Sequence, residues 1–161
     1  MKRKWTCAVL IGVLAMAGYA GNVLATTGPA VTTTVLGRSV FPAFTVSGQS
    51  VPPGLWDAVV TTHGITDAYV VDNKFAPGAT TGWHSHPGPS MILVVAGSVT
   101  NYTSDCTSHT YTAGTGFIDS GGTDVHTLRN LGSVPAETIA VQLLPKDAPR
   151  KTKAPEPGCH F

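Results

Sequence analysis

The sequence has few charges, few cysteines and no long apolar segment, and these shortages narrow the classes of protein to which it can belong. Charged residues make up 12% of the 161 residues, and ten lysines and arginines against nine acids give a formal net charge of +1. This balance leaves no basic face for a nucleic acid. The main apolar run, from about Cys7 to Ala17, is roughly a dozen residues long, whereas a helix needs about 20 to span a bilayer. No stretch of ten or more residues carries the apolar stripe of an amphipathic helix.

The first segment is typical of an export signal rather than of folded structure. Three basic residues follow Met1, the apolar run comes next, and small residues lead to Ala25. We therefore predict a signal peptide over residues 1–25, with cleavage after Ala25. Because the apolar run is short, a retained membrane anchor is the less favoured alternative. Removal of the leader leaves enough chain for one hydrophobic core, in a protein that we expect to be secreted or periplasmic.

The cysteines agree with export. Cys7 lies in the leader, which leaves Cys106 and Cys159 as one candidate pair. In an oxidising compartment these two would form a disulfide that holds the C-terminal tail to the rest of the domain. The alternative is two free thiols.

What the sequence does contain is glycine, threonine, valine and proline in a pattern typical of an all-β fold. Residues 26–66 lack a sustained period and suit an extended lead-in that wraps around the domain or adds an edge strand. Over residues 67–145, short apolar or alternating runs are separated by glycine turns about every ten residues, which indicates a barrel or a sandwich. The tail, residues 146–161, is rich in proline and lysine, and we expect it to pack only where Cys159 holds it.

Two histidines stand out in a segment predicted to be extended. His84 and His86 are separated by one residue, so both imidazoles point to the same face of a strand. A lone inward histidine is more often a hydrogen-bonded core residue than a ligand. Two on one face are costly to bury unless their lone pairs are used, and a metal ion uses them well.

The surroundings of this pair resemble the two-part signature of the cupin superfamily. That signature has a first motif of Gly, His-x-His, Glu and Gly, and a second motif with one His followed by Asn; the matching residues here are Gly78, His84, His86, Gly97, His126 and Asn130. The resemblance implies a single cupin-type barrel, a double-stranded β-helix or jelly roll, over residues 67–145. It also implies that His84, His86 and His126 bind one divalent metal ion, which would be iron, manganese, zinc or copper. Cupins commonly pair, so a homodimer is a further expectation.

The sequence departs from the signature in two places. The position of the cupin glutamate falls on Ser90 or Met91, and neither is a ligand for a hard divalent ion. In the second motif, Gly121 stands where proline is usual and Thr123 where glycine is usual, which we expect to affect turn geometry only. Some cupin dioxygenases that resemble this arrangement bind ferrous iron with histidines alone. Neutral imidazoles leave the full double charge on the ion, so such a centre should prefer an anionic, chelating substrate.

Other polar residues near the motifs have open roles. Asp124 lies two residues before His126 and is a candidate fourth ligand or a group that orients an imidazole; the alternative is a turn-capping aspartate. Asn130 should brace the backbone at the end of its strand. Tyr102 and Tyr111 are candidates for the cavity mouth, and His63 and His109 have no partner at a telling spacing.

Two functions from different classes follow from these observations. One is a metal-dependent enzyme, of the oxygenase or the lyase/isomerase type, that acts on a small anionic molecule at the three-histidine centre. The other is a non-catalytic barrel that binds a metal or a small ligand, and the missing glutamate favours it. Neither involves nucleic acid, or a membrane once the leader is removed.

Overall fold

The structure, a computed structural model, describes residues 30–159, and every helix or strand element in this range is a β-strand. The signal peptide predicted at 1–25 lies outside the described residues. Within 30–159 no helix is long and apolar enough to cross a membrane.

Twelve strands make up the described part of the chain. In chain order they are β1 Thr32–Phe41, β2 Phe44–Gln49, β3 Asp57–Thr62, β4 Thr66–Phe75, β5 His84–Ser85, β6 Ser90–Ala96, β7 Ser98–Thr103, β8 Ser108–Thr112, β9 Gly116–Asp119, β10 His126–Arg129, β11 Ala136–Pro145 and β12 Thr152–Lys153.

Ten of these strands form two five-stranded sheets. The first has the order β1-β4-β11-β6-β9 and the second the order β12-β5-β10-β7-β8, with antiparallel pairing between neighbouring strands. The remaining two, β2 and β3, pair with each other as a separate hairpin. The prediction of an all-β fold with one small two-sheet barrel is confirmed.

The inside of the barrel follows from the period of two along its strands. On β11 every second residue from Ala136 to Leu144 is buried, and on β6 the buried residues are Ser90, Ile92 and Val94. The apolar core, formed by Phe75, Ala79, Val94, Val99, Leu128 and Ala136, occupies the stretch where β4 ends, β6 ends and β11 begins. The opposite ends of these strands carry polar inward residues, among them Ser90 and Gln142. Polar side chains therefore line part of the inside of the barrel near these ends.

The N-terminal lead-in contributes a strand to the first sheet. Over residues 32–41, β1 pairs with β4 at the edge of that sheet. The other face of the same sheet leaves Met91, Leu93 and Ile118 about half exposed or more. The homodimer stays a prediction.

The C-terminal tail is more extensively bound than we expected. The Sγ atoms of Cys106 and Cys159 lie 2.05 Å apart, as in a disulfide. In addition, β12 pairs with β5, with Thr152 opposite Ser85 and Lys153 opposite His84. The expectation that the tail packs only at Cys159 was therefore wrong. Its backbone extends the second sheet beside the histidine pair, because β5 has an unpaired edge that a short strand can fill.

Candidate metal centre

Strand pairing brings the three predicted histidines together. His84 on β5 lies directly opposite His126 on β10, and His86 follows β5 by one residue. One ring nitrogen from each of the three lies within 4.8 Å of the others. His84 and His126 are both 3% exposed, and His86 is partly buried. The His-x-His spacing and the single later histidine thus converge on one point inside the barrel.

Backbone carbonyls indicate which nitrogens carry protons. The Nδ1 atom of His84 lies 2.7 Å from the carbonyl oxygen of Gly82, and that of His86 lies 2.5 Å from the carbonyl oxygen of Arg150. A carbonyl can only accept, so we assign the proton to Nδ1 in both rings. Each ring therefore presents the lone pair of its Nε2 atom, as a metal-binding histidine does.

Burial favours the neutral form of two of these imidazoles, those of His84 and His126. It lowers the pKa of His84 to about 3, an effect that the neighbouring His126 and Lys151 increase and the carbonyl of Gly82 opposes. The pKa of His126 is lowered as well, mainly by burial and against the attraction of Asp119. Neutral rings are the form that binds metals, and imidazole nitrogen suits iron, copper and zinc. The residues present therefore fit the divalent ion that the sequence implies.

A cavity of about 340 Å³ opens onto the histidines. All three line it, together with apolar side chains such as Ile92 and Leu128 and polar ones such as Ser90 and Gln142. Two cationic residues, Arg150 and Lys151, also line the cavity. No carboxylate among the described residues lines it.

The two cations reach the cavity through the tail. The ammonium group of Lys151 donates to the carbonyl of Thr81 at 2.5 Å, on the cavity wall. Its pKa is lowered by partial burial and by the neighbouring charges of Lys153 and Arg150. The guanidinium of Arg150 lies 5.8 Å from the centre of the Tyr69 ring. The tail therefore places positive charge beside the histidine cluster.

Three other candidates lie outside the group of three histidines. The carboxylate of Asp124 does not belong to the three-histidine group; the backbone of this residue instead forms a hydrogen bond with the ring of His126. Tyr102 and Tyr111 do not line the cavity; Tyr111 stacks on Phe117 with ring centres 4.5 Å apart.

Asn130 has the bracing role that the sequence predicts. Its side chain is 1% exposed. The amide nitrogen donates to the carbonyls of Phe75, Ala76 and Val134, and its oxygen accepts from the backbone N–H of Gly132. The prediction that it braces the backbone is confirmed.

Sequence reasoning missed three polar residues at the centre. Asp119, 4% exposed, has its Oδ2 atom 3.6 Å from Nε2 of His86 and its Oδ1 atom 3.9 Å from Nδ1 of His126. Arg150 and Lys151 belong to a tail that we had not placed near the site. None of the three has a spacing to the histidines that identifies it in the sequence, because strand register and the path of the tail bring them there.

The family match agrees with this architecture, because residues 73–142 match the family model described as a cupin domain. No curated protein matches the chain. The solved structures that are similar to it include the following three. A protein from Klebsiella pneumoniae with a double-stranded β-helix domain is 25% identical, over 55% of this chain and 75% of that one, with a TM-score of 0.48. A cupin domain from Bordetella pertussis is 16% identical, over 72% and 95%, with a TM-score of 0.48. A predicted oxalate decarboxylase from Thermotoga maritima is 22% identical, over 50% and 82%, with a TM-score of 0.42.

The family match covers the strands that carry all three histidines, from the end of β4 to β11. Together with the two-sheet barrel and the convergence of His84, His86 and His126, it identifies residues 73–142 of this chain as a cupin domain.

Proposed function

We propose that this protein is an exported, metal-dependent cupin enzyme, of the oxygenase or the lyase/isomerase type, that acts on a small organic anion. One observation carries the proposal: three histidine nitrogens, those of His84 and His126 buried and that of His86 partly buried, meet at a cavity whose charged residues are cationic. The predicted signal peptide and the pairing of Cys106 with Cys159 support export.

A divalent ion is the group that best fits the histidines. Lone pairs of neutral, buried imidazoles cannot satisfy one another, because each is an acceptor. When bound, the ion would supply Lewis-acid or redox activation of a ligand beside it. The chain's own contribution is to hold each ring in place through Nδ1, with the Gly82 and Arg150 carbonyls as the partners of His84 and His86.

The cavity favours a small anionic ligand. Its volume of about 340 Å³ is at the lower end of the range of roughly 300 to 1,000 Å³ that is usual for small-molecule sites. The ammonium group of Lys151 and the guanidinium of Arg150 would attract a carboxylate. The side-chain amide of Gln142, buried in the wall, has one atom without a hydrogen-bond partner, and this atom would bond to a polar group of the ligand. We therefore expect a carboxylate with at least one further polar group.

A non-catalytic barrel that binds a metal or a small ligand is the alternative. It is favoured by Ser90, which is buried and lines the cavity at the position where cupins carry glutamate, whereas Met91 is 49% exposed and points away. Turnover is what separates the two functions.

Metal content tests the centre. The protein secreted or recovered from the periplasm, without a histidine tag, should contain close to one equivalent of a divalent metal by elemental analysis. His84→Ala and His126→Ala should lose it, while His109→Ala, which alters an exposed histidine outside the group, should retain it. Absence of metal from the parent protein, even after reconstitution, would refute the proposed centre.

Substrate screening tests catalysis. The metal-loaded protein is incubated with mono- and dicarboxylates that carry hydroxyl, keto or amino groups, with oxygen uptake and product formation as the readouts. Oxygen consumption would indicate an oxygenase, and product formation without oxygen a lyase or an isomerase. Binding of carboxylates with no turnover of any of them would favour the non-catalytic barrel.

Export and assembly are tested on the same preparation. N-terminal sequencing should begin at Thr26 if the leader is cleaved after Ala25. Light scattering of the mature protein tests the homodimer.

A further inference from the structure

We infer that Asp119 supplies the carboxylate ligand that the first cupin motif lacks at Ser90. This inference rests on the proposed metal centre and adds a fourth ligand to it. It moves the carboxylate from strand β6 to the neighbouring strand β9.

Strand register places Asp119 where such a ligand is needed. In the antiparallel pairing of β6 with β9, Asp119 lies directly opposite Ser90. Residues directly opposite each other in an antiparallel pair have their side chains on the same face of the sheet, about 5 Å apart at Cβ. Because Ser90 is buried and faces the cavity, the side chain of Asp119 also points into the barrel. A carboxylate is thus restored one strand away from its usual position.

Asp119 lies outside the group of three histidine nitrogens within 4.8 Å of one another, but its distance to His86 suits a shared ion better than a hydrogen bond. Oδ2 of Asp119 lies 3.6 Å from Nε2 of His86, the nitrogen that carries the lone pair. That is too long for a hydrogen bond, which needs about 3.2 Å or less. Two ligands bonded at about 2.1 Å to one ion are roughly 3.0 to 3.4 Å apart for angles between octahedral and tetrahedral. Only a small adjustment would bring the two atoms into one coordination sphere.

Oδ2 of Asp119 is left without any hydrogen-bond partner, although the residue is 4% exposed. A buried, ionised carboxylate oxygen without a partner is costly, and a cation removes that cost. The other oxygen, Oδ1, already accepts from the backbone N–H of Gly121 at 2.9 Å. The side chain is therefore held at one oxygen and has the other available for an ion.

The second departure from the cupin signature has a role in this arrangement. Gly121 has a φ of +73°, and a Cβ atom there would lie 2.3 Å from the carbonyl oxygen of Gly88. Proline, which is usual in the family at this position, has no N–H and could not hold Asp119. The loss of glutamate at Ser90 and the loss of proline at Gly121 thus fit a single rearrangement.

A fourth, anionic ligand changes the metal preference. Three imidazoles suit zinc, copper or ferrous iron, and a carboxylate oxygen adds affinity for harder ions such as manganese(II). Asp119 is not among the residues that line the cavity, so it would take a position on the ion that leaves the cavity side open to substrate. The rival explanation is an ion pair between Asp119 and a protonated His86, in which case Asp119 has no effect on the metal.

The experiment measures metal affinity and spectra of the full mature chain, with manganese(II) and zinc(II) as probes. We expect Asp119→Asn to lower manganese(II) affinity by about 100-fold or more and zinc(II) affinity by less. The manganese(II) electron paramagnetic resonance spectrum should change with it. The matched control is Asp72→Asn. Asp72, on β4, is another buried aspartate with an unpaired oxygen, and it lies outside the histidine group. This variant should leave the manganese(II) and zinc(II) affinities unchanged.

A carboxylate swap keeps the inference testable if Asp119→Asn does not fold. The double variant Ser90→Glu/Asp119→Ser returns the carboxylate to the usual cupin position, and it should bind manganese(II) about as tightly as the parent. If the parent binds neither metal, the proposed centre is refuted and Asp119 with it. If the parent binds both metals and Asp119→Asn binds them equally well with an unchanged spectrum, Asp119 alone is refuted as a ligand.

Discussion

The burial of neutral His84 should make the metal-free protein sensitive to acid. Its pKa is about 3 in the folded state against 6.5 when exposed, chiefly because burial disfavours the charged ring. Between these two values the unfolded chain binds one more proton than the folded one. The free energy of unfolding therefore falls as the pH falls, with the full contribution present above pH 6.5 and none left below about 3. At 1.36 kcal/mol per pH unit this amounts to up to about 5 kcal/mol, a large share of the stability of a typical domain.

The assay is urea unfolding of the EDTA-treated protein at several pH values between 7.5 and 4, beside the His84→Asn variant. Asparagine places an N–H close to the position of Nδ1, so the hydrogen bond to the Gly82 carbonyl at 2.7 Å has a replacement while the titrating group is lost. Between pH 6 and 4.5, the free energy of unfolding of the parent should fall by about 1.4 kcal/mol more per pH unit than that of the variant. His63→Asn, which changes an exposed histidine, should follow the parent.

If the free energy of unfolding depends on pH equally in the parent and in His84→Asn, the reasoning is refuted. Equal dependence would mean that the His84 ring is protonated in the folded state as easily as in the unfolded chain. Saturation with zinc should shift the loss of stability to lower pH, since the ion competes with protons for the same lone pairs.

Three further predictions concern the tail and the brace. Lys151→Gln keeps a hydrogen-bond donor but removes the charge at the cavity. It should weaken the binding of malonate to the metal-loaded protein about tenfold, as measured by calorimetry. The control Lys153→Gln, two residues along the tail and exposed, should not weaken binding, and equal losses would contradict a specific role of Lys151. Replacement of both Cys106 and Cys159 by serine opens a cross-link with a sequence separation of 53. This change should lower the free energy of unfolding, measured in urea, by about 4 kcal/mol. It should also weaken zinc binding, because the tail holds the ring of His86 through the Arg150 carbonyl. Unchanged zinc affinity would show that the tail stays in place without the cross-link. Asn130→Ala breaks four hydrogen bonds, one buried and three partly buried. It should lower the free energy of unfolding by about 3 kcal/mol with no change in metal affinity. A loss of metal would contradict a purely structural role.

Local pattern was sufficient to predict most of the strands. The apolar run from Met91 to Ala96 forms most of β6, Ser90–Ala96, and the segments on either side of Cys106 form β7 and β8. These strands could be predicted because alternation and glycine turns depend on nearby residues only. The N-terminal segment was harder, since Thr-rich chain without a clear period can form an edge strand or a hairpin, and here it forms both.

The tail and Asp119 show where this kind of prediction fails. A proline- and lysine-rich segment has no apolar face, so nothing in it predicts that β12 pairs beside His84. Asp119 ends a short strand like many surface aspartates, and only its pairing opposite Ser90 makes it a partner of the histidines.

The sequence by itself determined the all-β class, the shared face of His84 and His86, the third histidine and the cysteine pair, because each depends on spacing along the chain. Only the tertiary structure decided which carboxylate stands beside the histidines, which cations reach the cavity, and that the tail adds an edge strand to the second sheet. These contacts join residues far apart in the chain, and they depend on strand register and on the edges left open by the barrel, neither of which a local pattern specifies.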